Sequence, residues 1–135
     1  PLVMNFTELT KDRFSIHDGN IVLFSAESRF KSDSVIALGI IHHLVLGLGL
    51  SLNEIVSSLN ALSRKQLVIE FIDLNDSMIQ GEPSFFPAFF KDSSISENYN
   101  LDELISILEA NNYSITIESS FPDTRKILVC EKASL

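Results

Sequence analysis

The stretch VIALGII, Val35 to Ile41, is continuously apolar and rich in β-branched residues. Such a run is typical of a strand covered on both faces, as in a parallel sheet with helices on each side. Ser51 and Glu54 then have the spacing of a capping box, and apolar residues recur at helical intervals as far as Leu62. The run LVIEFI, residues 67–72, predicts the next buried strand. Strand, helix and strand in this order predict a βαβ unit with a parallel pair of strands.

The C-terminal third predicts another helix and a hairpin. Asn100 and Glu103 are placed to cap a second amphipathic helix. Residues 113–117 alternate between apolar and polar, as in a half-exposed edge strand, whereas residues 127–130 are continuously apolar, as in an interior strand. A short turn joins these two strands, so they must be antiparallel. We therefore predict a parallel α/β fold followed by a terminal hairpin whose last strand inserts inside the edge.

Two segments give weaker signals. Residues 85–90 are rich in phenylalanine, and Pro83 and Pro87 disfavour a long helix, so this segment is interpreted as mobile or lid-like. Residues 21–24 fit either a short strand or a helical turn.

Composition and charge exclude several classes of partner. The chain has 135 residues, which we interpret as a single domain, 1–135, and it is 45% hydrophobic with a mean hydropathy of +0.21. Either its core is simply rich in leucine and isoleucine, or part of its apolar surface meets a missing domain half or a second copy. The net charge of −8 and the scattered basic residues argue against binding to nucleic acid or to an anionic membrane.

The chain is expected to be cytoplasmic. Its single cysteine, Cys130, excludes an internal disulfide and suits a reducing compartment. The apolar stretch 36–52 is short for a bilayer span and holds two histidines and three glycines, so a transmembrane helix is not expected. The N-terminus has no basic region typical of a signal peptide.

Polar residues follow both predicted parallel strands. His42 and His43 come after the first strand, and Glu70, Asp73 and Asp76 lie at or after the end of the second. In open α/β sheets, ligands bind beyond the carboxyl ends of the parallel strands. If the two strands are neighbours, these residues share one rim of the sheet.

Three roles are open for the two histidines. One of them acts as a general base or orients a substrate, since imidazole titrates near neutral pH. Alternatively, both hold a metal together with a carboxylate, although adjacent histidines on an extended chain point to opposite sides and rarely ligate one ion. In the third, one histidine only packs or caps the following turn, and the pair taken alone favours this structural role.

The other polar candidates have structural alternatives. Glu70, inside an otherwise apolar strand, is either functional or caps a nearby helix N-terminus. Asp73 and Asp76 are interpreted as solvated loop residues, with Asp76 as an N-cap. Arg125 is expected to form a surface ion pair. The sequence contains neither a glycine-rich phosphate loop nor a nucleophile elbow, so it gives no support to phosphate-loop enzymes or hydrolase triads.

Two blocks of sequence resemble a known family. Residues 33–44, DSVIALGIIHHL, resemble the fourth-strand motif of class I S-adenosylmethionine-dependent methyltransferases. Residues 67–80, from the second predicted strand to DSMIQ, resemble the fifth strand and its loop. The resemblance is to a bacterial group related to the nodulation protein NoeA, and Tyr99, Thr124 and Arg125 also fit. It implies a Rossmann-like three-layer α/β sandwich, present as the C-terminal half of a methyltransferase sheet that ends in an antiparallel hairpin.

The resemblance also implies a cofactor and site residues. It places Asn5 near the adenosine side of S-adenosylmethionine, Ile41, His42 and His43 beside the methyl-transfer site, and Glu70 at its rim. The family's glycine-rich cofactor loop is expected before Pro1, so we expect weak or no cofactor binding by this chain and, by itself, little activity. A small-molecule methyl acceptor is implied. The alternatives are a non-catalytic assembly module, such as a homodimer, and a metal-dependent enzyme using His42 or His43.

Overall fold

The computed structural model describes residues 12–17 and 20–134. The strands are β1 (Asp12–His17), β2 (Asn20–Ser25), β3 (Ser32–Ala37), β4 (Ser63–Ile72), β5 (Tyr113–Ser119) and β6 (Arg125–Lys132). The α-helices are α1 (Ala26–Phe30), α2 (Leu52–Leu62), α3 (Ser77–Gly81), α4 (Pro87–Lys91) and α5 (Leu101–Ala110). A π-helical turn spans His43–Gly47, and short 3-10 helices span Pro83–Phe85 and Ser93–Asn98. In the described part of the chain, no helix is long and apolar enough to cross a bilayer.

The central sheet has four strands in the order β3-β4-β6-β5. β3 pairs with β4 in parallel, which confirms the βαβ unit, and β6 runs antiparallel to both β4 and β5. The last strand therefore inserts inside the edge strand, as the alternating and continuous apolar patterns predict. The Rossmann-like α/β class is confirmed. The ambiguous residues 21–24 are part of β2, which forms a separate hairpin with β1.

Both predicted amphipathic helices are confirmed, together with their caps. The Ser51 N–H donates to Glu54 Oε2 at 2.9 Å, and Ser51 Oγ accepts from the Glu54 N–H at 3.2 Å. Asn100 Oδ1 accepts from the Glu103 N–H at 2.8 Å. These bonds satisfy backbone donors of the first helical turn, which have no partner within the helix.

One face of the sheet carries the core. Leu67, Ile69 and Leu128 are fully buried in one cluster with the apolar residues of α2 and α5. On β3, however, Ile36 is 68% exposed. The prediction that this strand is covered on both faces is therefore wrong for the described residues.

The first predicted strand is also shorter than the apolar run. β3 ends at Ala37, and Gly39 then turns the chain with a φ of +63°, a conformation that glycine adopts without a Cβ penalty. Residues 41–47 are helical, so the strand prediction is wrong from residue 38 to Ile41. A continuous apolar run fits a buried helical turn as well as a buried strand, and periodicity alone does not distinguish them.

Candidate functional site

The histidine pair lies on the helical turn after β3. His42 is 1% exposed, whereas the side chain of His43 faces solvent. Their ring centroids are 4.2 Å apart. The expectation that the two side chains point to opposite sides is wrong, because it assumed an extended chain and the backbone here is helical. The structure thus brings both rings to one place at the carboxyl end of β3.

Phe86 packs against both imidazoles. Its ring centroid lies 5.3 Å from that of His43, stacked at 27°, and 5.7 Å from that of His42. Phe86 is completely buried, and it belongs to the segment interpreted as lid-like. The absence of a long helix there is confirmed, since Pro83 and Pro87 each begin a separate short helix.

The His42 imidazole is buried without hydrogen bonds. Within the described part of the chain, neither Nδ1 nor Nε2 has a partner. Burial is the main cause that lowers the pKa of His42 to about 4; repulsion from His43 and Arg125 also lowers it, against the attraction of Asp76. His42 is therefore neutral at neutral pH. A buried polar group left unpaired costs about 1–3 kcal/mol, so this ring is available to a hydrogen-bonding ligand.

A buried ion pair joins the loop after β4 to the start of β6. Asp76 is completely buried and accepts from Thr124 Oγ1 at 2.7 Å and from Arg125 Nε at 3.0 Å. It also accepts from the Met78 N–H at 2.9 Å, so its role as N-cap of α3 is confirmed. The prediction of a solvated Asp76 is wrong. The ion pair expected at Arg125 is present, but its partner carboxylate is buried instead of lying at the surface. The partners are 48 and 49 residues apart, and no local pattern links them.

This pair has a strong electrostatic effect. The hydrogen bond from Arg125, with those from Thr124 and Met78, lowers the pKa of Asp76 to about 2 although burial opposes it. Because Asp76 and Arg125 both act electrostatically on His42, the ion pair and the histidine belong to one rim of the sheet.

Tyr99 stabilises the end of β4, which is part of the same rim. Its hydroxyl donates to the Ile72 carbonyl oxygen at 2.7 Å, and its ring stacks on Phe71 at 5.0 Å. Burial raises the pKa of Tyr99, which therefore remains a neutral hydrogen-bond donor. Apart from the family resemblance, no pattern in the sequence indicates this role.

The remaining predicted site residues are less closely grouped. Glu70 is half-buried and lies beside the Gly39 turn, where a Cβ would be 3.7 Å from Glu70 Oε2. Ile41 is completely buried in the core. Asn5 lies outside the described residues. The functional roles of Glu70, Ile41 and Asn5, like those of the histidines, stay predictions.

The groove along β3 does not by itself fit S-adenosylmethionine. This groove has a volume of about 290 Å³ and is lined by aliphatic side chains only, among them Ile36, Leu38 and Ile41. Such a lining cannot pair with the carboxylate, the ammonium or the ribose hydroxyls of this cofactor. In the described ranges there is also no cluster of three or more histidine, cysteine or acidic side chains that could hold a metal ion.

A larger cavity opens at the same end of the molecule. β5 is parallel to β3 and β4, so α2 and α5 both begin near the carboxyl ends of the parallel strands. Between their first turns lies a cavity of about 430 Å³, whose polar lining comes from Ser51, Asn53, Asn98 and Glu103. This volume is typical of small-molecule sites.

Comparisons with known proteins give a partial structural match. Neither a family model nor a curated protein matches the chain. Two similar solved structures are of magnesium protoporphyrin IX methyltransferase from Synechocystis PCC 6803, one with bound SAH and one with bound SAM. Both are methyltransferases. Each is 17% identical to this chain and covers 76% of it, with TM-scores of 0.48 and 0.46. This chain spans 46% and 40% of those chains, so less than half their length. At this identity and TM-score, the two structures do not indicate what this chain binds or does.

Proposed function

We propose that this chain is the acceptor-side part of an S-adenosylmethionine-dependent methyltransferase. The observation that carries the proposal is the strand order β3-β4-β6-β5, in which an antiparallel last strand lies between two parallel ones. The class I methyltransferase fold ends in the same way, and the His-His-Leu block stands directly after β3, where the resemblance to the family expects it. Strand order and motif position are independent of each other.

In this proposal the described residues orient the methyl acceptor and contribute little to cofactor binding. S-adenosylmethionine supplies the methyl group in such enzymes, and residues outside the described ranges hold its amino-acid and ribose parts. His42, His43 and Glu70 then face a small-molecule acceptor at the rim, and catalysis consists mainly of orientation. A reducing cytoplasm suits the buried thiol of Cys130, whose pKa burial raises to about 11.

The first experiment is calorimetric titration with S-adenosylhomocysteine. It is titrated into this chain and into the chain together with whatever its gene encodes upstream of Pro1, with ATP as the control nucleotide. We expect binding by the extended protein only, because the aliphatic groove along β3 offers the cofactor no polar partners. Binding by neither protein would contradict the methyltransferase proposal. Binding by the short chain would contradict the assignment of the cofactor grip to upstream residues.

One observation favours an alternative, a non-catalytic assembly module. Ile36 and Leu38, at the open side of β3, are 68% and 53% exposed. Adjacent exposed apolar side chains on a sheet edge are typical of surfaces that meet another chain. A stable homodimer that binds no S-adenosylhomocysteine would favour this function.

A further inference from the structure

The ring of Phe86 fills the space beside the unpaired His42 imidazole. It stacks on His43 and contacts His42, and it is completely buried. As a hydrocarbon it gives neither ring nitrogen a hydrogen bond. The Phe86 ring therefore fills the space beside His42 but leaves both imidazole nitrogens without hydrogen bonds.

We propose that Phe86 occupies a binding site for an aromatic hydroxyl compound of the phenol class. The ring of the ligand replaces the Phe86 ring, and its hydroxyl group pairs with a ring nitrogen of His42. Calling this ligand the methyl acceptor rests on the proposed function, whereas the binding itself does not.

The chemistry of the site selects this class of ligand. A planar ring preserves the stacking on His43 that Phe86 makes now. A neutral imidazole presents one donor and one acceptor, and a hydroxyl group is both, so it pairs with whichever nitrogen faces it. A charged ligand would bring an unpaired charge into this buried site, because Asp76 and Arg125 are already bound to each other.

The segment that carries Phe86 buries few side chains. Between Glu82 and Asp92, Phe86 is the only completely buried side chain, and most of its neighbours, such as Phe85 at 58%, are exposed. α4 has only five residues, and a Cβ at Gly81 would contact nothing within 4 Å. Segments that bury few side chains open locally at a fraction of the global unfolding free energy. Local opening of this segment would withdraw Phe86 and expose His42.

The test uses phenol and toluene, which share a ring and differ in the hydroxyl group. The whole chain carrying Phe86→Ala is labelled with nitrogen-15 histidine and titrated with each compound. We expect phenol to bind about tenfold more tightly than toluene, since it adds one hydrogen bond in a buried site. We also expect phenol to shift the ring nitrogen signals of His42 more than those of His43.

Matched variants make the outcome decisive. Phe90→Ala removes an exposed ring of the same segment and is expected to leave phenol binding as weak as in the unmodified chain. Adding His42→Leu to Phe86→Ala should abolish the preference for phenol, because its buried hydroxyl group would then have no partner. If Phe86→Ala does not fold, Phe86→Leu, which keeps an apolar side chain without a ring, takes its place.

Equal binding of phenol and toluene to the Phe86 variant, or phenol shifts confined to His43, would overturn the proposal. None of these measurements needs S-adenosylmethionine. A failure to bind S-adenosylhomocysteine would therefore count against the proposed function alone, and a failure to discriminate phenol from toluene against the phenol site alone.

Discussion

His42 is a buried imidazole that makes ring contacts but no hydrogen bond to any described residue. Its two nitrogens are unpaired, and its pKa is lowered to about 4. A leucine of similar size would fill the same space without this cost. Unpaired buried polar groups in a native protein call for an explanation, and a role toward a ligand is one. The cost gives His42 a measurable signature.

That signature is a dependence of stability on pH. The folded-state pKa of His42, about 4, lies below the ordinary value of 6.5, so the unfolded chain binds this proton more readily. The free energy of unfolding is therefore unaffected by this proton above pH 6.5, and it decreases as the pH falls toward 4, by about 3 kcal/mol in total. We expect His42→Leu to lack this loss, and the exposed His43→Leu to retain it. Urea unfolding at pH 7 and pH 4 measures both, and parallel curves for His42→Leu and the unmodified chain would refute the expectation.

At the scale of elements, the buried carboxylate of Asp76 connects α3 with β6, two elements that no hydrophobic pattern in the sequence links. Asp76 caps α3 through Met78 and holds the start of β6 through Thr124 and Arg125. The Asp73 N–H also donates to the Thr124 carbonyl oxygen at 2.8 Å. The loop that leads to the Phe86 segment is thus fixed to the strand inserted in the sheet, which places that segment over the histidines.

Breaking this connection is expected to destabilise the fold. Asp76→Asn keeps the shape of the side chain but leaves Arg125 without its ionic partner, and disrupting a buried pair costs about 3 kcal/mol. Asp33→Asn is the matched control, because the Asp33–Lys65 pair is exposed and such pairs contribute little to stability. Thermal and urea unfolding at pH 7 compare the two variants.

The same residue predicts a second window of acid sensitivity. Asp76 has a folded-state pKa of about 2, below its ordinary 3.8, so its contribution is present above pH 4 and is lost between about pH 4 and 2. In Asp76→Asn that loss should be absent. Equal destabilisation by Asp76→Asn and Asp33→Asn at pH 7 would show that the buried connection does not hold these elements together.

At the scale of the whole molecule, an acidic chain leaves an apolar edge open. The net charge of −8 keeps most of the surface polar, yet Ile36 and Leu38 are exposed at β3, which pairs on one side only among the described strands. The nine-residue aliphatic groove along this strand continues the same surface. Covering an apolar surface of this kind lowers the free energy of the system.

We therefore expect this chain, produced alone, to self-associate. Ile36→Lys places a charge in the apolar surface and should shift the molecule toward the monomer, while Ile117→Lys, on the opposite edge strand β5, should not. Ile117 is 44% exposed, so it is a matched position. Sedimentation velocity over a range of concentrations measures the association. A monomer at every concentration, or an equal effect of both variants, would contradict the role of the β3 edge.

Prediction from the sequence succeeded where local patterns decide. The capping box at Ser51 fixed the start of α2, and the alternating and continuous runs distinguished β5 from β6. The strand prediction failed past Ala37, because a continuous apolar run fits a buried helical turn as well as a buried strand, and Gly39 permits the change of direction. Prediction also failed at Asp76, because the sequence shows a charge but not the partners that bury it.

The sequence by itself determined the kinds, order and caps of the main elements, and with them the parallel pair and the inserted last strand, because these depend on periodicity and on contacts a few residues apart. Only the tertiary structure decided which polar groups became buried. His42 lies beside Phe86, and Asp76 beside Arg125, through contacts between residues 44 and 49 positions apart. The burial of a group, and hence its pKa, depends on everything that packs around it, and chain neighbours alone do not specify that environment.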